Sequence, residues 1–582
     1  MKATDDFARL RRDHAGPPGG PELAADSADP HARNVYLSSL TFDIAQARAE
    51  GRTGDEEQLM LQYVPFSDKD PHFLECAAVY AAYWTTYGGN FDYIPPSSND
   101  FGVIQWKIPN NGKVGVIGDW GTGMPDAVAL LTDLIKTHEP DAIVHLGDIY
   151  YSGTPYECQT YFADAIAGVF EELGVAIPVF TIPGNHDYYA LGYGFFPMLP
   201  ELNSGDAVQQ ASYFCLRTED GGWQLLGMDT GYEDSNPVNQ LDPLYAGPWL
   251  RDDEAAWQVD KLVNFAGPTI LLSHHQLYTA NANINGRVSS ESEFPYLNPQ
   301  LLNVFQPFFG DKVAAWLWGH EHNFVLFQNG LFGLSCGRLL GASAFEELTS
   351  ESPYTVNHPN VPYLDPTKYQ LTPESSGIYA HSYGVIDFST RTNPTDPVSV
   401  SYFQFPSWYE GAPPSLQSTL IYSETYSQPV PPARQAVDYG STIKLSVAGG
   451  LLSVGPLDGG LEYYPTVGST PVALSFVAPG SQSGQLTHGA QVLVKTLESA
   501  AGAYNLLGAW ATRCLYYYTG GYGQEVWTIY KLDPSDPNIC FGDAVYLVNN
   551  SYSGQWIAPT NDGYLTTTTA GVPATFTVAP PS

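Results

Sequence analysis

The chain has 582 residues, with 61 Asp or Glu against 24 Lys or Arg, giving a formal net charge of −37. That charge excludes a general binder of nucleic acid or acidic membrane, both of which need a basic field. It also repels anionic substrates unless positive charge such as bound metal is supplied locally, while the length allows about four domains and large apolar cores.

The six cysteines (Cys76, Cys158, Cys215, Cys336, Cys514 and Cys540) form no C-x-x-C pair. They therefore read neither as a disulfide framework nor as a zinc knuckle, with a Cys514–Cys540 bridge left open. The first residues, MKATDDFARLRRDH, are charged and lack the apolar core of a secretory signal. No run reaches the roughly 18 apolar residues of a membrane span. A soluble, cytoplasmic chain is expected, although its Lys-poor composition would tolerate export.

Residues 1–34 are rich in Pro, Gly, Ala and Asp and read as disordered. Residues 35–112 read as a partly helical segment with an apolar helix over 73–84, ended by Gly88-Gly89. No chemistry is visible there, and packing against the next domain is the expectation. From Lys113 the period changes. Val114-Gly115-Val116-Ile117 is a short apolar run suited to a strand covered on both faces. Pro125-Asp126 then opens a helix with Ala127, Leu130, Leu131 and Leu134 on one face. The apolar run 142–146 follows, completing a βαβ unit.

Further apolar runs at 179–182, 269–272 and 314–318 each stop at a polar cluster. Open α/β sheets bind ligands at that carboxyl edge. The alternating runs 383–388 and 398–403 read as antiparallel strands of a second sheet, and the Pro-rich stretch 406–436 as a linker or strap. Beyond it, the pattern Gly-x-x-Ile/Val-x-Leu/Val recurs at Gly440, Gly489 and Gly542. A period of about fifty residues suggests three copies of a four-strand unit, resembling a β-trefoil over 437–582. The Gln-x-Trp triplets of ricin-type lectins are missing, so glycan binding and protein contact are both open for this region.

The strand-end clusters contribute Asp119, Asp148, Tyr151, Asn185, His274, His320 and His322. Carboxylates, a phenolate, an amide oxygen and imidazoles suit a pair of first-row metals. His320 and His322, two apart on extended chain, could serve one ion each, and Asp148 is the natural bridge. Two ions about 3.5–4 Å apart can clamp an in-line displacement at phosphorus. Around them, His145 reads as a core histidine and Tyr150 as packing. Asp187 reads as a turn residue orienting His186, and Asp229 as a turn or supporting acid. His275 reads as a supporting residue, with a one-residue shift making it the ligand instead.

The ordered set GDWG, GDIYY, GNHD, LLSHH and GHEH, from Gly118 to His322, resembles the five-block signature of calcineurin-like metallophosphoesterases. Gly121, where most of that superfamily has histidine, and Tyr151 make it similar to the purple acid phosphatases in particular. The resemblance implies an α/β fold, a four-layer α/β/β/α sandwich over 113–405, followed by the all-β unit. It implies Fe(III) held by Asp119, Asp148, Tyr151 and His322, and a divalent Zn, Fe or Mn ion held by Asp148, Asn185, His274 and His320. The function implied is hydrolysis of a phosphomonoester by metal-hydroxide attack, with catalytic roles for Asp148 and for His186, which orients substrate or protonates the leaving oxygen. Gln276 stands where relatives often have proline, and the loop 281–287 lacks the histidines relatives can carry there. A phosphodiesterase or nucleotide pyrophosphohydrolase on the same metals is the alternative. A glycan-binding or adhesive protein with a vestigial phosphoesterase domain is more distant, since all seven donors are kept.

Overall fold

The computed structural model describes residues 46, 50–52, 66, 67, 70, 73 and 75–581, except 238–247, 285–294, 366, 409–411, 431–433, 448–449, 459–461, 469–471, 511–514, 535, 553, 560–564 and 570–571. The expected disorder of 1–34, the Cys514 pairing and positions 285–287 lie outside the described residues. Helix α1 (Cys76–Tyr87) matches the apolar run and ends at Gly88, whose φ of 63° continues into the turn.

Twelve strands build two sheets: β1 (Lys113–Ile117), β2 (Ala142–His145), β3 (Val179–Thr181), β4 (Phe214–Arg217), β5 (Gln224–Gly227), β6 (Thr269–Ser273), β7 (Val313–Trp318), β8 (Phe324–Leu326), β9 (Gly337–Leu340), β10 (His381–Asp387), β11 (Val398–Phe405) and β12 (Thr419–Tyr426). The first sheet runs β12-β11-β10-β1-β2-β3 and the second β4-β5-β6-β7-β9-β8. Strands β1, β2 and β3 are parallel, as are β5, β6, β7 and β9. Helices α2 (Pro125–His138) and α3 (Asp164–Leu173) cover the outer face of the first sheet, with Leu130, Leu131 and Leu134 against Ile143 and Val385. Helices α4 (Asp252–Val263) and α5 (Pro299–Phe305) cover the second, with Trp257 and Phe305 in one core with Leu271 and Trp316. Between the sheets Val116, Val144 and Phe180 share a core with Leu225, Leu272 and Leu317. The result is a four-layer α/β/β/α sandwich.

Two expectations are corrected. The alternating runs at 383–388 and 398–403 do not begin a second sheet. They are β10 and β11, and β10 joins the first sheet antiparallel to β1. The stretch expected as a linker contains edge strand β12, paired to β11. Its anchor is a charge: Arg338 on β9 of the second sheet is fully buried and meets Glu424 on β12 of the first. Arg338 Nε and Nη2 donate to the two Glu424 oxygens at 2.7 and 2.6 Å. Nη1 donates to the carbonyls of Phe327 and Gly337, and Nη2 also to Asn329. This bidentate pair ties the two sheets together.

Twelve more strands form the C-terminal unit: β13 (Thr442–Val447), β14 (Gly450–Asp458), β15 (Glu462–Gly468), β16 (Leu474–Val477), β17 (Ala490–Thr496), β18 (Leu506–Ala509), β19 (Leu515–Tyr518), β20 (Val526–Lys531), β21 (Ala544–Asn549), β22 (Trp556–Pro559), β23 (Leu565–Thr568) and β24 (Phe576–Ala579). Pairing closes β13-β16-β17-β20-β21-β24 into a barrel, since β24 returns to β13. The remaining strands form three hairpins, β14–β15, β18–β19 and β22–β23. The recurring glycines explain themselves. Gly440, Gly489 and Gly542 have φ of 86°, 83° and 92°, which side chains resist. Each donates its N–H to the last strand of its own four-strand unit, at Phe476, Ile529 and Val578. Asn303 on α5 holds this unit, accepting from Thr575 N at 2.9 Å and donating to Pro573 O at 3.3 Å. Among the described residues, no helix is long and apolar enough to cross a membrane.

Removing one partner of the sheet-bridging pair leaves an uncompensated buried charge, so Arg338→Met is expected to destabilise by about 3–5 kcal/mol. Chemical denaturation followed by tryptophan fluorescence checks this, and Arg338→Met with Glu424→Leu is expected to recover much of the loss.

Candidate metal centre

The sheet edges deliver their polar turns to one place. Asp119 follows β1, Asp148 follows β2, Asn185 and His186 follow β3, His274 follows β6, and His320 and His322 follow β7. Backbone bonds lace the first two turns: Asp119 N donates to Gly147 O, and Gly121 N to Asp148 O. A Cβ on Gly121 would lie 2.7 Å from Ile149 Cα and 2.9 Å from Asp148 O, so this position has no room for a side chain. Asp187, fully buried, accepts from Asp148 N at 3.0 Å and Gly184 N at 2.8 Å. It thereby stitches the β2 and β3 turns together, rather than acting on the His186 ring.

Three of the residues in these turns, Asp119, Asp148 and His320, hold φ of 55°, 71° and 72°. Such conformations cost about 1–3 kcal/mol each for residues with a side chain. Glycine makes the space they need. A Cβ on Gly184 would sit 2.0 Å from Asp148 Oδ1, one on Gly319 2.6 Å from Asp119 Oδ2, and one on Gly147 2.7 Å from His274 Nδ1.

The orientation of the donors is set from behind. His274 Nδ1 bonds the Leu146 carbonyl at 2.9 Å, so that nitrogen carries the proton and Nε2 presents its lone pair forward. Asn185 Nδ2 donates to Tyr189 OH at 2.7 Å, which turns the amide oxygen forward. That oxygen lies 3.2 Å from His274 Nε2 and 3.1 Å from His320 Nδ1, and these two nitrogens are 3.2 Å apart. Asp148 Oδ2, buried and without a hydrogen bond, lies 3.3 Å from His274 Nε2. Asp119, Asp148 and His274 thus bring ligand atoms within 4.8 Å of one another, with Asn185 Oδ1 and His320 Nδ1 beside them. A cation at their centre resolves the arrangement, so the residues fit a metal.

Electrostatics agree. Burial raises Asp119 to about 7. Burial would raise Asp148 as well, but the imidazoles of His274, His186 and His320 hold it well below the usual carboxylate range. Burial lowers His274, yet Asp148 and Asp119 outweigh it and bring the imidazole up to about 9, so with no cation present Nε2 takes a second proton, at the place where a metal ion would displace it. The cluster therefore demands positive charge.

The second half of the cluster contains a difference from expectation. Tyr151 is not brought to it: its hydroxyl donates to Asp70 Oδ2 at 2.9 Å, and its ring stacks on Phe66 with centroids 5.2 Å apart. Tyr150, expected as packing, donates its hydroxyl to Asp119 Oδ1 at 2.7 Å and lies 3.2 Å from His322 Nε2. His322 Nε2 is 3.7 Å from Asp119 Oδ1. On a tight turn no periodicity decides which of two adjacent tyrosines faces inward, so the sequence carries no signal for Tyr150.

The supporting residues divide clearly. Both His275 nitrogens are bonded, Nδ1 to Thr230 Oγ1 at 3.0 Å and Nε2 to Asp234 Oδ2 at 3.1 Å, so His274 is the inward-facing member of the pair. His145 bonds Thr181 Oγ1 at 2.9 Å inside the core. Asp229 accepts from Tyr188 OH at 2.5 Å, bracing the β3 turn. Gln276 donates to Glu321 Oε1 at 3.3 Å, beside His320. His186 Nδ1 donates to Tyr151 O at 2.5 Å, leaving Nε2 without a protein partner among the described residues.

Residues 112–324 match the family model of calcineurin-like phosphoesterases. Acid phosphatase type 7 of Homo sapiens is 23% identical over 219 residues, covering 36% of this chain and 46% of that protein. The Mus musculus protein is 22% identical over the same length and shares. The chain thus spans less than half the length of these curated relatives. A solved structure of the Kunitz-type cysteine protease inhibitor PCPI-3 from potato aligns at 9% identity, with TM-score 0.19, over 26% of this chain and 94% of that one. A likeness that low bears on neither fold nor function.

Gly184→Ala places a methyl against Asp148 Oδ1 and is expected to lose most bound metal. Gly168→Ala, a helix position with nothing within 4 Å, is expected to keep it. Elemental analysis of both purified proteins after metal loading and desalting checks this.

Proposed function

Residues 112–324 of this chain form a calcineurin-like phosphoesterase domain, and from that premise we propose that the protein is a dinuclear-metal phosphohydrolase acting on phosphomonoesters. The observation that supports the reading is the convergence of Asp119, Asp148 and His274, with ligand atoms within 4.8 Å of one another, beside Asn185 and His320. Asp148, Asn185, His274 and His320 would hold a divalent ion such as Zn, Fe or Mn. Asp119, His322 and the second carboxylate share of Asp148 would hold the other. Tyr150 rather than Tyr151 supplies the phenol in this reading, because its hydroxyl already touches Asp119. A phenolate is a hard anionic donor, which favours Fe(III) there.

When bound, the two ions supply positive charge to the phosphoryl oxygens and acidify the attacking water. The remaining work belongs to the chain. Asp148 keeps the two sites at a common edge, its Oδ1 accepting from His186 N at 3.0 Å. His186 is fixed at Nδ1 by the Tyr151 carbonyl, so in its imidazolium form the Nε2 proton would be the one handed to the leaving oxygen, leaving the neutral Nδ1–H ring. Asn185 orients its amide through Tyr189 and excludes one rotational state of the ligand. The C-terminal unit, with its closed barrel and three hairpins, is read as β-trefoil-like, and Asn303 is its tie to the phosphoesterase core.

The metal-loaded protein is expected to turn over p-nitrophenyl phosphate well and bis-p-nitrophenyl phosphate poorly, with a visible tyrosinate-to-iron absorption band. Tyr150→Phe is expected to abolish the band and Tyr151→Phe to retain it. The reverse spectral result would return the ligand role to Tyr151, and turnover of neither ester would contradict the hydrolase reading.

A further inference from the structure

The segment upstream of the phosphoesterase domain reaches the candidate site. Four contacts fasten it to the turn after β2. Asp70 Oδ2 accepts from Tyr151 OH at 2.9 Å, and Phe66 stacks on the Tyr151 ring. Cys76 Sγ donates to Tyr151 O at 3.3 Å, and Phe73 meets the Tyr151 ring edge-on with centroids 6.1 Å apart. Glu346 N, from beyond β9, donates to Phe66 O at 2.9 Å and secures the near end. The segment is thus anchored to the site on both sides of Phe73.

Phe73 itself is only half-buried, and its ring lies 5.9 Å from that of His186. The other rings around His186 are Tyr150 at 4.8 Å and Tyr189 at 4.7 Å. Those two hydroxyls are engaged, with Asp119 and Asn185. Phe73 has no polar handle, so the wall it adds beside the His186 ring is apolar. Asp70 adds a carboxylate beside Tyr151, and the whole chain carries −37. A leaving group bearing further phosphates would meet repulsion there, whereas a flat uncharged ring would meet a ring face.

Resting on the hydrolase reading above, we propose that Phe73 is a specificity-determining residue that packs against the alcohol portion of the substrate. Phe73, held by the contacts of Phe66, Asp70 and Cys76, is then part of the active site, and the preferred substrates are phosphomonoesters of flat aromatic alcohols. The alcohol then lies against the exposed part of the Phe73 ring, beside His186, whose imidazolium form can protonate its oxygen.

The test uses the full-length, metal-loaded protein with phenyl phosphate and glycerol 2-phosphate. Phe73→Ala is expected to raise KM for phenyl phosphate about 3–10-fold, with little change in kcat and little change in either constant for glycerol 2-phosphate. Phe73→Trp is expected to keep the aryl preference, and Phe73→Leu, similar in bulk but without a ring face, to lose part of it. Equal losses on both esters would make Phe73 a packing residue and overturn the proposal, as would unchanged constants on both. If wild type cleaves glycerol 2-phosphate but shows no aryl preference, the proposal fails while the hydrolase reading stands. If it cleaves neither ester, both fail.

Discussion

Acceptors that point at one another are the constraint on which the rest of this structure depends. His274 Nε2, Asn185 Oδ1, His320 Nδ1 and Asp148 Oδ2 lie 3.1–3.3 Å from their neighbours. The Leu146 carbonyl and the Tyr189 hydroxyl commit the opposite side of His274 and Asn185. An unpaired polar group held away from water costs about 1–3 kcal/mol, more when charged. Asp148 Oδ2 is such a group, and a cation among these side chains would satisfy it. The local backbone tells the same story: three residues in left-handed conformations and three glycines cleared of side chains converge on two carboxylates.

The fold supplies the rigidity this arrangement needs. Two parallel-stranded sheets face each other across a shared core, so strand ends from both reach one edge. Asp187 sews two turns of the first sheet together. The buried Arg338–Glu424 pair then locks the second sheet against the edge strand of the first. A chain this acidic cannot gather a phosphate by its general field. In the proposed reading local cations would carry both binding and chemistry, and the organic part of the substrate would be left to apolar walls such as Phe73.

Much of this was legible in the residues alone, for identifiable reasons. Continuous apolar runs closed by Gly-Asp, Gly-Asn or Gly-His steps mark strands covered on both faces, and they led to Asp119, Asp148, Asn185, His274, His320 and His322. The glycines at 440, 489 and 542 marked the three-part barrel because a positive φ is required at each. What was hidden depended on distant partners. The alternation of β10 and β11 reveals strands but not that β10 pairs with β1 and carries β11 into the first sheet. Strand β12 lies among prolines, and Arg338, far away in sequence, together with Tyr402 explains why Glu424 points inward. Tyr150 and Tyr151 are adjacent on a turn, and their division of labour is set by Asp70 and Phe66, contacts no local pattern encodes. The same contacts bring the upstream segment, bland in composition, to the site.

Anomalous diffraction from crystals of the metal-loaded protein tests the central claim most directly. The account predicts two anomalous peaks flanking the Asp148 carboxylate, one among Asn185, His274 and His320 and the other beside Asp119, His322 and Tyr150. A lone peak elsewhere, or none within bonding distance of Asp148, would contradict it.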